Sequence, residues 1–322
     1  MARIDPNHAG RLWPGLSGQG WSRRQFLRQL VGLMLAVHAA PQLCAQRDPE
    51  PSPSPRYCVG VCDWMILQRQ KVRALSLARE LGADGVEVDL GPLGQRETFD
   101  NALARPEVRQ QFLEAARQHQ VALCSLAMSG FYAQSFAERP TVPRMIEDAV
   151  QTAEALGVRV LFLPLGVQSD LVRHPHLRPA VVERLRWAGR RAERAGLCIG
   201  VETSLPAAEE VGLLEEVGSP AVRSYFNFAQ AIRHGRDVVA ELETLGPDRI
   251  LQIHATNEDG VRLEEDPQLD LRRIRRSLDR MGWRGWLVVE RSRDARDPRN
   301  IRANFGANVA FLKRVFQDEP AP

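Results

Sequence analysis

The sequence of 322 residues contains no internal run of the roughly 18 uninterrupted apolar residues that a membrane-spanning helix needs. No stable membrane span is therefore expected. Neither a G-x-G-x-x-G fingerprint nor a Walker A segment follows its first apolar run, so a dinucleotide or phosphate loop of that kind is missing. None of the five cysteines forms a C-x-x-C pair, and Cys58, Cys62, Cys124 and Cys198 each sit inside an apolar run. That placement suits small buried hydrophobes rather than disulfide partners. Lysine is nearly absent: Lys71 and Lys313 stand alone among 43 basic residues, an arginine bias that reflects genome composition more than chemistry. A global charge of one sign is lacking too. The formal +3 arises in residues 1–45, where five arginines face Asp5 alone, and residues 46–322 carry a net −1. Such a body has no field to gather nucleic acid or acidic lipid, and no nucleic-acid partner is expected. What is present, 44% hydrophobic and 26% charged residues, is ordinary globular composition with length enough for a large core.

The first 45 residues read as an address. Ser22-Arg23-Arg24-Gln25-Phe26-Leu27 precedes an apolar run from Leu30 to Ala40 and a small-residue exit at Pro41 to Ala45. Basic region, short apolar region and exit occur in the order of a secretory signal, and the paired arginines resemble the twin-arginine type. The expectation is a signal peptide over 1–45, recognition by the Tat export machinery and a periplasmic location. Residues 46–56 are rich in proline and serine and read as an extended linker. Residues 317–322 are expected to be a disordered tail.

From Tyr57 the pattern is regular. Short apolar runs occupy Cys58–Asp63, Gly85–Leu90, Val121–Leu126, Val158–Leu163, Leu197–Glu202, Val222–Asn227, Ile250–His254 and Gly285–Glu290. They are too apolar for half-exposed antiparallel strands and suit a parallel sheet covered by helices. Between them, residues such as Val181, Leu185, Ala188, Ala192 and Ala195 share one helical face. Eight β-then-α units over 57–316 predict an α/β fold, a single (β/α)8 TIM barrel, with an open doubly wound sheet as the competitor.

In such a barrel the chemistry gathers at the carboxyl ends of the strands. The polar or terminal residues there are Asp63, Asp89, Ser125, Pro164, Glu202, Asn227, His254 and Glu290. The last four come from consecutive strands. Two carboxylates, a carboxamide and an imidazole converging at the barrel mouth would suit one divalent metal ion: Mn2+, Mg2+, Co2+ or Zn2+. Each residue alone has a plainer reading: a cap for a glutamate, core packing for the histidine, a turn for the asparagine.

Over residues 57–316 the chain resembles the xylose-isomerase-like barrel superfamily of sugar isomerases and epimerases, which also contains apurinic endonuclease IV relatives. The resemblance rests on Gly60-Val61-Cys62-Asp63-Trp64, Gly85-Val86-Glu87-Val88, Ile199-Gly200-Val201-Glu202, Val222–Gly235, Ile253-His254 and Val288-Val289-Glu290. It implies that Glu202, Asn227, His254 and Glu290 bind the metal and that Glu202 and Glu290 exchange protons with substrate. The family's usual third-strand-from-the-end ligand is Asp; Asn227 replaces it, uncharged, and the residue three further on is Gln230. A weaker or more selective metal site follows.

The chemistry implied is removal of a proton next to a sugar carbonyl with stabilisation of the enediolate, giving epimerisation, isomerisation or, on a 3-keto-sugar, elimination. An unphosphorylated carbohydrate suits an exported protein. Trp64 either stacks on a sugar face or packs under the first loop. Glu87, Asp89, Gln230, Asn257, Arg291 and Arg293 are candidates for substrate contact, and the loop histidines His174 and His176 read as solvated. The resemblance also implies a homodimer, although no exposed apolar helix face stands out. Two rivals are a phosphodiester hydrolase, which would need more strand-end histidines than His254, and a non-catalytic periplasmic carbohydrate-binding barrel.

Overall fold

A computed structural model of the chain describes residues 56–318. The expected signal peptide and all of the expected linker except Arg56 lie outside them. Eight parallel strands form a closed barrel in chain order: β1 Tyr57–Cys62, β2 Gly85–Asp89, β3 Ala122–Ala127, β4 Val160–Pro164, β5 Cys198–Glu202, β6 Val222–Asn227, β7 Ile250–His254 and β8 Gly285–Val289. The ring closes through β1 and β8, in register from Tyr57 opposite Gly285 to Val61 opposite Val289. The TIM-barrel reading holds, and the open sheet is excluded.

The outer layer consists of α1 Arg73–Glu80, α2 Pro106–His119, α3 Val142–Leu156, α4 Arg178–Arg194, α5 Ala207–Val217, α6 Phe228–Arg233, α7 Val238–Leu245, α8 Leu271–Arg280 and α9 Ile301–Lys313. The periodic face seen in the sequence is the buried face of α4, with Val181, Leu185, Ala188 and Ala192 inside. α3 ends at Gly157, whose φ of +69° returns the chain to the next strand without a Cβ clash. Among the described residues no helix is long and apolar enough to cross a membrane.

Boundaries moved at several points. β3 ends at Ala127, one residue beyond the expected Leu126, and Ser125, read as its polar end, instead points into the barrel onto Glu87. Gln317 and Asp318, read as part of a disordered tail, belong to a π-helical turn, Arg314–Asp318, and Gln317 Nε2 donates to Asp84 Oδ2 at 2.8 Å. Arg56 is anchored rather than part of a loose linker, bonding the carbonyls of Trp283 and Leu278. The four cysteines are unpaired as read, but Cys58 and Cys198 are only half-buried.

The main apolar core lies between sheet and helices. Inside the barrel the packing is different. Two small clusters, Cys62–Cys124–Val288 and Ala127–Phe162–Tyr225, share the interior with buried polar groups. Gly200 makes room for one of them, since an added Cβ would meet Tyr225 Cδ2 at 2.8 Å. The Tyr225 ring so admitted carries its hydroxyl across the barrel to β2.

Candidate functional site

The mouth of the barrel opens into a cleft of about 730 Å³. Glu202, Asn227, Gln230 and Glu290 line its inner part, with Trp64 and Tyr132 beside them and Arg291 next to Glu290. Each is delivered by a strand end or by the loop or short helix that follows it, where side chains are free to vary while the sheet stays fixed. Asn227 closes β6 and starts α6 at the same time. Its Oδ1 accepts the Ala229 N–H at 2.9 Å, an N-terminal cap, so its Nδ2 faces the other way.

That Nδ2 donates to Glu202 Oε2 at 3.0 Å and lies 3.5 Å from Glu290 Oε2. Glu202 also accepts from Gln230 Nε2 at 3.2 Å. The Tyr132 hydroxyl donates to Glu290 Oε1 at 3.2 Å. Below this pair, fully buried, lies His254, with Nδ1 3.1 Å from Glu202 Oε2 and Nε2 3.0 Å from Glu87 Oε1. Glu87 in turn accepts from Ser125 Oγ at 2.6 Å and Tyr225 OH at 2.7 Å, with Cys62 Sγ at 3.5 Å. The result is a column: Glu87, then His254, then Glu202 and Glu290 at the cleft floor.

These surroundings push the acids apart. Burial disfavours the Glu202 carboxylate, but hydrogen bonds and charge from His254 outweigh it, helped by Asn227 and Gln230, and hold it below the usual range. Glu290 goes the other way: burial raises it, His254 counteracts, and the charge of Glu202 adds to the rise. For His254, burial opposes the charged ring, yet Glu87, Glu202 and Glu290 together raise it to about 10. The imidazole is therefore a cation at neutral pH with one N–H toward each carboxylate layer. Burial, followed by the nearby carboxylates, pushes the Tyr132 phenol well above its ordinary range, so it stays a neutral donor.

The expected four-residue metal set fits in part. One ligand atom each from Glu202, His254 and Glu290 lies within 4.8 Å of the others. Glu87 on the far side of His254 fixes the ring so that Nδ1 points to the centre, the usual arrangement behind a metal-bound histidine. A dication there would displace the Nδ1 proton. Asn227 does not fit the expectation, because the atom it turns toward the centre is a hydrogen-bond donor.

Other expected contacts are redistributed. Glu87 does not reach the cleft; it lies beneath His254. Asp89 is also buried, bound by Arg69 Nε at 2.9 Å, with Asp63 Oδ1 accepting its N–H. Asn257 and Arg293 are loop-builders: Asn257 Nδ2 bonds Asp266 Oδ2 at 2.8 Å, and Arg293 Nε bonds Asp259 Oδ1 at 2.9 Å. Trp64 is half-buried, lines the cleft and packs on the two interior clusters. Tyr132 was not foreseen. It lies in the short 3-10 turn Ser129–Tyr132 after β3, and the misplaced end of that strand concealed it.

Comparison with known proteins agrees with this architecture. The family model described as xylose isomerase-like TIM barrel matches residues 75–315. The 2-epi-5-epi-valiolone 7-phosphate 2-epimerase of an Actinoplanes species is 30% identical over 201 residues, 61% of this chain and 71% of that protein. Among solved structures, D-psicose 3-epimerase of Clostridium cellulolyticum with D-tagatose superposes with a TM-score of 0.65 at 14% identity, covering 80% of this chain and 99% of its own. The 3-keto-D-glucoside 4-epimerase of E. coli gives 0.60 at 15%, covering 80% and 99%. At those identities the structures speak to fold alone.

Proposed function

The chain belongs to the xylose isomerase-like TIM barrel family, and on that premise we propose that it is a sugar epimerase or isomerase working by proton transfer next to a carbonyl. The observation that carries this reading is the pair Glu202 and Glu290 on the cleft floor, two carboxyl groups linked through one amide yet shifted in opposite directions. Pairs of acids driven apart by their surroundings divide the base and acid roles. Glu202, held as carboxylate, takes the proton from the carbon beside the carbonyl, and the C–H electron pair moves into the enediolate. Glu290, which keeps its proton more readily, returns one to the opposite face for epimerisation or to the neighbouring carbon for isomerisation. Tyr132 holds the Glu290 carboxyl in place. Trp64 offers an aromatic face to a sugar ring, and Arg291, lining the cleft next to Glu290, offers positive charge to a developing oxyanion.

A divalent metal ion, held by Glu202, His254 and Glu290, would supply polarisation of the sugar carbonyl. The proteins compared above are named for epimerisation of 2-epi-5-epi-valiolone 7-phosphate, D-psicose and a 3-keto-D-glucoside. We take an unphosphorylated carbohydrate, free or 3-keto, as the substrate class, and twin-arginine export to the periplasm as the setting, both resting on the sequence of residues 1–45. The test is NMR in D2O with a panel of free and keto sugars. Deuterium entering beside the carbonyl, lost in Glu202→Gln, and epimerised or isomerised product, lost in Glu290→Gln, are the expected results. Product that still forms in Glu290→Gln refutes the acid role, and no incorporation with any sugar favours a carbohydrate-binding barrel.

A further inference from the structure

We propose that Asn227 is a hydrogen-bond staple between the two carboxyl groups, which keeps the centre assembled without a dication and leaves it a weak, exchangeable cation site. The argument is a count of atoms. A carboxamide has one oxygen, and that of Asn227 is spent on the Ala229 N–H at 2.9 Å. Turning the amide over would set an N–H against an N–H and uncap α6. That helix has only six residues, and it carries Gln230, whose amide bonds Glu202 at 3.2 Å. The cap and the cleft floor are therefore coupled.

The Asn227 Nδ2 has two hydrogens and two acceptors, Glu202 Oε2 at 3.0 Å and Glu290 Oε2 at 3.5 Å. Glu202 receives His254 and Gln230 as well, and Glu290 receives Tyr132. Donors thus already surround the two carboxyl groups on the sides from which a dication would hold them. A cation entering here gains three protein ligands and must strip hydrogen bonds from Glu202 to do so. The inference concerns the same centre as the proposed reaction but not its chemistry. Proton transfer could proceed with or without tight metal, so either can fail alone.

The test is Mn2+ binding, by electron paramagnetic resonance of free Mn2+, and thermal unfolding in chelator against excess Mn2+. Wild type is expected to bind Mn2+ weakly and to gain less thermal stability from excess Mn2+ than Asn227→Asp does. Asn227→Asp keeps an oxygen for the cap and turns a second oxygen inward. It should bind Mn2+ at least about tenfold more tightly, melt below wild type in chelator, and recover in Mn2+. Asn227→Ser retains a cap without the staple, so it should melt below wild type in chelator without gaining affinity. Wild type binding Mn2+ as tightly as Asn227→Asp, or gaining as much thermal stability from it, overturns the proposal. If Asn227→Asp does not fold, Asn227→Ser decides: stability equal to wild type in chelator overturns it equally.

Discussion

Glu87→Gln is the sharpest probe of the buried column beneath the cleft. Glu87 is fully buried and its carboxylate accepts from His254, Ser125 and Tyr225 at 3.0, 2.6 and 2.7 Å. Glutamine keeps the shape, and the two hydroxyls can turn to accept, but the charge opposite His254 is lost. Removing one partner of a buried pair costs about 3–5 kcal/mol at neutral pH. At roughly 2–4 °C per kcal/mol for a domain of this order of size, the midpoint should fall by about 6–20 °C. The pH dependence carries the stronger test. His254 is raised from 6.5 to about 10 in the folded protein, so its contribution is fully present below pH 6.5 and is lost as pH rises through 10. At 1.36 kcal/mol per unit that amounts to roughly 5 kcal/mol for wild type. Glu87 is the foremost of the charges that raise His254, so in Glu87→Gln the alkaline loss should be much smaller. Thermal unfolding followed by circular dichroism between pH 6.5 and 10 should show the gap between the two proteins closing as pH rises. A gap that stays constant across that range would mean that Glu87 does not set the charge of His254.

Two further perturbations test other parts of the structure. Burial raises Glu210 to about 7, against the bond that Thr203 Oγ1 donates to its Oε2 at 2.8 Å. Its contribution is fully present below pH 4.5 and is lost as pH rises through 7, so Glu210→Gln should unfold at a higher temperature than wild type at pH 8 and show no such gain at pH 4.5. The ceiling on that gain is about 3 kcal/mol, and equal melting temperatures at pH 8 would refute the assignment. Gly166 adopts φ of +60°, and an added Cβ would lie 2.6 Å from the Phe131 oxygen and the Tyr132 Cα. Gly166→Ala should therefore lower stability by more than about 1 kcal/mol and slow deuterium exchange into substrate by displacing Tyr132. Exchange at the wild-type rate would show that the position of Tyr132 is immaterial.

Much of the fold was legible because the signal is local. Strand runs such as Val222–Asn227 and Ile250–His254 match to the residue, since a parallel strand covered by helices is mostly apolar and the polar residue ending it is conspicuous. β3 was harder to read. Ser125 reads as the polar residue near the end of its run, but it is a buried group satisfied by Glu87, a partner 38 residues away. The same distance in sequence hid the role of Glu87 itself, which reads as a mouth residue on β2 and serves as the base of the His254 column.

The sequence by itself determined that eight strands alternate with helices and that Glu202, Asn227, His254 and Glu290 close four successive strands. Apolar periodicity and strand-end polarity are properties of short segments, and they survive without knowledge of neighbours. Only the tertiary structure decided which atom each of these residues presents. The amide of Asn227 is oriented by a helix start on one side and two strands on the other. The charge of His254 is set by three carboxyl groups from β2, β5 and the end of β8, which meet only when the barrel closes.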